Sequence, residues 1–145
     1  MSDKIRFSIA ETADEKLKAF VVRGIVFCGE QRVPYSIEWD EYETSALHVL
    51  GQVDDEPVAA GRIRYFDGYA KLERIAVRAE YRGQGYGHGM TDFMIQTAKE
   101  KGFSRCKMHA QVHLKDFYAE HGFESQGDIF VEAGIDHVLM VRNGS

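Results

Sequence analysis

The sequence predicts an α/β domain on a mixed, mostly antiparallel central sheet flanked by helices, in the order β-α-β-β-β-α-β-α-β-β over residues 1–145. Three observations carry that expectation. "FDGY", Phe66 to Tyr69, sets Asp-Gly between two apolar stretches, a strong hairpin signal. "VRAEYRGQGYGHGM", Val77 to Met90, leads from a strand into an amphipathic helix through glycines at every second position. "GFESQGDIFV" and "DHVLMV" then close the chain as two further strands. Because the central strands are hairpin-linked, the sheet is not a doubly wound parallel one.

Each element has its own justification. "IRFSIA" alternates as a strand does, and "TADE" fits a capping box, with Thr12 as N-cap and Glu15 three residues on. Leu17, Phe20, Val21 and Ile25 follow at helical spacing. "GEQRVPYS" ends that pattern, since Pro34 cannot continue a helix. "ALHVLGQV" and "VAAGRIRYF", joined by "DDEP", are strands, and with "KLERIAV" they make an antiparallel meander from Ala46 to Val77. Beyond the glycines, Met90, Phe93, Met94, Thr97 and Ala98 form one helical face. Lys99 and Lys101 suit the negative end of that helix and Gly102 its C′ position. "SRCKMHAQ" is a strand, and "LKDFYAEHG" is a short helix closed by Gly122.

The length suits one domain with one substantial core, and no repeat, low-complexity tract or linker divides it. A net charge of −5 and the absence of a basic run argue against a nucleic-acid partner. No stretch of about 18 apolar residues offers a membrane span, and "MSDKIRFSIAETADEK" lacks the apolar core of a secretion signal, so a cytoplasmic location is expected. Asn143-Gly144-Ser145 matches a glycosylation acceptor and is discounted for the same reason. Cys28 and Cys106 are expected to be free thiols, and no local pair suggests a metal. "IEWDEYE", with Glu38, Asp40, Glu41 and Glu43, reads either as a solvated loop or as a landing site for a cationic substrate.

A strand, a glycine-rich turn and a helix N-terminus make an anion site, because backbone N–H groups converge where the helix carries partial positive charge. Arg82 adds a charge-assisted donor. The spacing excludes two familiar phosphate loops. Gly83 plus five is His88, so G-x-x-x-x-G-K-[ST] fails, and G-x-G-x-x-G would need glycine at position 88 or 90.

The segment Arg82-Gly83-Gln84-Gly85-Tyr86-Gly87 resembles the (Q/R)-x-x-G-x-(G/A) acetyl-CoA pyrophosphate loop of the GCN5-related N-acetyltransferase (GNAT) superfamily. The element order and "DFYAEHGF", Asp116 to Phe123, resemble the same family, so the likeness spans nearly the whole chain. "VFCGEQRVP", "GRIR", "LERIAV", "AQVHLKDFYAEHGF" and "AGIDH" are similar to a bacterial ElaA/YjcF-like subgroup.

This resemblance implies acetyl transfer from acetyl-CoA, as cosubstrate and without a metal, to a primary amine. The acceptor would be a small molecule, a polyamine, or a lysyl or amino-terminal group. It implies that "LERIAV" splays from "SRCKMHAQ" and that the pantetheine arm lies in the gap against Ile75, Ala76 and Val77, as strand addition. A backbone N–H near Val77 would stabilise the developing oxyanion. Tyr118 is implied as the general acid for the leaving thiolate, with Phe117 beside it at the cofactor. Gln111 stands where many members use an Asn to hold the pantetheine. Glu30, Gln31 and His137 are implied on the acceptor side. For the general base, Glu73 is set on the face of Ile75 and Val77 by period two, with His48, His113 and His137 as alternatives and a salt bridge to Arg62, Arg64 or Arg74 as the competing role for Glu73. The oligomeric state is left open, with a homodimer as one outcome. The rival readings are a non-catalytic acyl-CoA sensor and an unrelated nucleotide-phosphate binder.

Overall fold

Seven strands form one sheet in the computed structural model, which describes residues 4–144. They are Arg6–Ile9 (β1), Leu47–Val53 (β2), Glu56–Phe66 (β3), Tyr69–Val77 (β4), Arg105–Gln111 (β5), Glu124–Glu132 (β6) and Ile135–Asn143 (β7). Their order is β1-β2-β3-β4-β5-β7-β6, and every neighbouring pair is antiparallel except β4 and β5. The mixed sheet with helices is therefore as expected. Ser145 of the glycosylation pattern lies outside the described residues, as does the start of the N-terminal stretch. Among the described residues no helix is long and apolar enough to cross a membrane, and both cysteines are free.

Helices cover both faces, so the central strands read as nearly continuous apolar runs. Tyr86–Glu100 (α3) sets Met90, Met94, Ile95 and Ala98 against Val49, Val58, Ile63 and Leu72. On the other face Ala13–Arg23 (α1) sets Ala19 and Val22 against Leu50, Ala60 and Ala76. The capping box at Thr12 and Glu15 is formed as expected.

The face of α1 differs from the spacing. Leu17, Val21 and Ile25 are 62%, 49% and 41% exposed, whereas Ala19, Val22, Arg23 and Val26 are buried. Small Ala19 allows a close approach to the sheet, and Arg23 enters the interior with its charge matched, so the buried stripe reads as partly polar. Past Arg23 the helix does not stop. It widens into a π-helical stretch at Gly24–Glu30, and Pro34 then precedes one short unpredicted helix, Tyr35–Glu38 (α2).

Two further differences concern strands. Asp54 and Asp55, with φ of 48° and 69°, make a two-residue turn, so Glu56 and Pro57 belong to β3. On β4, Arg74 has φ of 57°, and Arg74 and Ile75 together face Gly61 alone, because Ala60 pairs with Ala76 while Arg62 pairs with Glu73. This is a bulge, and it breaks the period of two. Leu72 and Ile75, three apart, border the same core cluster. Glu73 is therefore not on the face of Ile75 and Val77.

Parallel pairing of β4 and β5 is confined to Ala70 with Cys106 and Lys71 with Lys107. Toward Val77 and Gln111 the two strands part, leaving their facing backbone groups without a ladder partner from each other. The splay that the resemblance implies is present.

Candidate active site

Two cavities open where β4 and β5 separate. The larger, about 590 Å³, runs along Ile75, Ala76 and Val77 to the glycine turn. The smaller, about 320 Å³, is bounded by charged groups of β3, β4 and the loop after α2. Six residues line both and form a neck between them: Phe27, Gln31, Ile75, Gln111, Leu114 and Tyr118.

The alternating glycines divide by purpose. Gly83 and Gly85 have φ of 80° and 83°, and a Cβ on either would meet open space. They shape the turn. A Cβ on Gly87 would come within 3.1 Å of the Phe117 ring, and one on Gly89 within 2.8 Å of Phe7. Those two permit packing. Free N–H groups at the start of α3 then face a cavity with no side chain across the turn, which fits a pyrophosphate. Gly83, Gly85, Tyr86, Gly87 and Phe117 line this cavity, and exposed Gln84 does not.

Arg82 does not hang free. Its guanidinium donates to Glu30 Oε1 and Oε2 at 2.7 and 2.6 Å, and its Nε donates to the Val77 carbonyl at 2.9 Å. Glu30, expected on the acceptor side, lines the larger cavity beside the glycine turn and not the smaller one. The hydrogen bond from Arg82 holds its carboxyl below the usual range.

At the neck, Gln111 Nε2 donates to Gln31 Oε1 at 3.0 Å, joining β5 to the segment after the π-helical stretch. Tyr118 comes from the short helix Lys115–Ala119 (α4), is buried, and stands edge-on to Phe117 at 5.0 Å between centroids. Burial raises its phenol above the usual value, so it stays a proton donor at working pH.

Of the four residues of the acidic stretch, three are already paired with arginines. Glu38 is buried and meets Arg23 and Arg74, Asp40 meets Arg62 and Arg74, and Glu43 meets Arg23 and Arg62. Glu41 alone of the four lies outside these pairs and is exposed. Glu73 is shared by Arg62 at 2.7 Å, Lys71 at 2.9 Å and Arg64 at 3.4 Å. Burial alone would raise its carboxyl, but Arg62 and Lys71 more than offset that and hold it low. Such a carboxylate is a weak proton acceptor.

His137 lines the smaller cavity, with its Nδ1–H donated to the Ile135 carbonyl at 2.7 Å. His113 lines the larger one. His48 is in neither, being buried edge-on to Phe20 with Nε2 on the Glu43 carbonyl and its basicity lowered by burial.

The spacing did not reveal two arrangements. On β5, His109 holds Glu132 of β6 at 2.9 Å through Nδ1, and both line the smaller cavity. The hydrogen bond lowers the Glu132 carboxyl, so the ionised oxygen accepts and Nδ1 carries the proton. The clue was parity: His109 and Gln111 share a face of β5, but contact with Glu132 depends on an irregularity in β6 between Gln126 and Phe130. The second arrangement links α3 to α4. His88, stacked 4.1 Å over Phe117, bonds His121 at 2.8 Å, which bonds Asp92 at 2.8 Å.

A splayed α/β sheet with a glycine turn at the helix start and a tyrosine in the gap is the arrangement that the resemblance to the acetyltransferase superfamily implies. A family model for the acetyltransferase (GNAT) domain matches residues 13–143, and the chain belongs to that family and is an acyltransferase. It is 37% identical over 136 residues, 93% of this chain and 97% of the other, to the uncharacterized N-acetyltransferase YjcF of Bacillus subtilis. Among solved structures it is similar to an acyl-CoA N-acyltransferase from Pseudomonas aeruginosa, at TM-score 0.85 and 26% identity over 97% and 99% of the two chains. It is similar to Escherichia coli ElaA at TM-score 0.84 and 25% identity over the same shares.

Proposed function

We propose that the protein transfers the acetyl group of acetyl-CoA directly to a primary amine. The observation that carries this is the neck, where Tyr118 borders both cavities. A cofactor arm reaching down the splay would present its thioester there, and an amine entering from the smaller cavity would meet it.

Acetyl-CoA supplies an acyl carbon bound to a thiolate leaving group. The unpaired β4 edge from Glu73 to Val77 offers N–H and C=O groups to the pantetheine arm and to the developing oxyanion. His109 Nε2 takes the proton that the ammonium must lose before attack, with Glu132 stabilising the imidazolium. It replaces Glu73, whose three cations oppose protonation. As the C–N bond forms and the C–S bond breaks, Tyr118 gives its proton to the sulfur, and the second proton shed by the nitrogen as the amide forms passes to the phenolate and restores it. The dry neck that keeps the phenol protonated also makes a thiolate more basic there.

The test is release of free thiol and mass-detected product across a panel of primary amines, in wild type and Tyr118→Phe. At least one amine class is expected to be acetylated, with a loss of about a hundredfold in the variant while coenzyme A binding persists. Coenzyme A binding with no transfer to any amine would favour the sensor, and equal stabilisation by ATP would favour a general nucleotide site.

A further inference from the structure

Building on that reading of the smaller cavity, we infer that the acceptor amine carries an anionic group, a carboxylate or a phosphate, held by Arg64 and Lys71. Of the charged groups that line the cavity, Arg62, Arg64, Lys71 and Arg74 are cations and Glu38, Asp40, Glu73 and Glu132 are carboxylates, so any excess of positive charge is local. It is concentrated at Glu73, where one carboxylate serves three cations.

The sign of the charge that faces the cavity follows from burial. Side chains of Arg64, Lys71 and Arg74 are 17%, 20% and 21% exposed, whereas those of Glu73 and Glu38 are 8% and 4%. The carboxylates stand behind the cations. Asp40 is more open, but it already accepts from Arg62 at 2.7 and 3.0 Å and from Arg74 at 3.4 Å. Arg64 is the least satisfied. Its guanidinium lies 3.4 Å from the Tyr42 ring centroid and near Phe66, which fixes its plane. Its one carboxylate contact, 3.4 Å to the already shared Glu73, leaves most of its N–H donors without an acceptor. Across the cavity the Glu132 carboxylate, 44% exposed, accepts from His109 and also acts on Lys71, which leaves Arg64 as the cation most open to an anion.

A planar anion would meet Arg64 in its fork geometry and reach Lys71 beside it. A polyamine would set its distal ammonium against the same two cations, a like-charge contact. The acidic stretch that suggested a polyamine is already neutralised from within.

The test compares acceptors that differ only by the anion: lysine against cadaverine, β-alanine against ethylamine, and phosphoethanolamine against ethanolamine, each with acetyl-CoA. The acidic member of a pair is expected to have a kcat/KM at least tenfold higher, with the pairs separating carboxylate from phosphate. That ratio falls toward one in Arg64→Gln and in Lys71→Gln, and Arg64→Lys keeps part of it. Equal or better turnover of the unacidic members overturns the inference and leaves the transferase reading standing. If no amine is acetylated the transferase reading falls, and the charge preference is read from binding. Glutarate should then raise the melting temperature of the coenzyme A-loaded protein more than 1,5-pentanediol does, and an equal shift overturns it.

Discussion

Arg82 and Glu30 close on each other through two hydrogen bonds of 2.6 and 2.7 Å at the rim of the larger cavity. The pair sets a carboxylate beside the turn that we propose for a diphosphate, and it occupies the guanidinium that would bind it.

Both partners are more than 40% exposed, so the pair is worth at most about 1 kcal/mol. Glu30→Gln should therefore tighten coenzyme A binding about two- to fivefold by releasing Arg82, whereas Arg82→Ala should weaken it. Titration calorimetry at fixed ionic strength measures both. Weaker binding in Glu30→Gln would mean instead that Glu30 holds Arg82 in its binding pose.

The glycine substitutions should separate folding from binding. Gly89→Ala drives a methyl into the Phe7 ring at 2.8 Å and should cost about 1–3 kcal/mol of stability, by urea unfolding, with little change in coenzyme A affinity. Gly85→Ala meets no atom but must hold a left-handed dihedral, a strain of about 1–2 kcal/mol that distorts the turn itself. Its affinity for coenzyme A should fall along with its stability.

His109→Gln should lower kcat/KM for amine acetylation about a hundredfold. Glu132→Gln, which removes the ionised partner of Nδ1, should lower it by a smaller factor and alter the acid limb of the pH–rate profile. Other charged or titratable groups near this pair are Lys71 and His137. Glu73→Gln should leave that limb in place. A limb that moves with Glu73→Gln and ignores His109→Gln would return the base to Glu73.

Acid stability should rest on the ion-pair network. Burial opposes ionisation of Asp40, Glu43 and Glu73, but their arginine partners, with Lys71 at Glu73, prevail and hold all three below their ordinary values of 3.8, 4.5 and 4.5. Lowered carboxyls add stability above the ordinary range, and it is lost as pH falls through the lowered values. Glu38, raised by burial, has the opposite sign and weakens the fold as pH rises through the ordinary range. Melting temperature should drop steeply below about pH 4. Arg62→Met should lower it at neutral pH and flatten the acid limb, and an unchanged limb would contradict the assignment.

The meander, the capping box and the glycine turn were legible because each follows from local chemistry or an unbroken spacing, whereas the splay came from the resemblance to the family. Other features were not legible, because they depend on contacts distant in sequence. Leu17, Val21 and Ile25 repeat at helical spacing, yet Arg23 and Ala19 face inward, since Glu38 and Glu43 wait to receive the guanidinium. The bulge at Arg74 turned Glu73 away from Ile75, and no residue type nearby announces a left-handed arginine. Glu30 and Arg82 are joined only by folding. His109 and Glu132 meet only because β5 and β6 flank the same strand.

The lone parallel junction of the sheet has just two residue pairs, Ala70 with Cys106 and Lys71 with Lys107. Four strands hang on one side of it and three on the other. The molecule thus resembles a zipper left mostly undone, and whatever lies between its teeth completes a secondary structure that the polypeptide leaves unfinished.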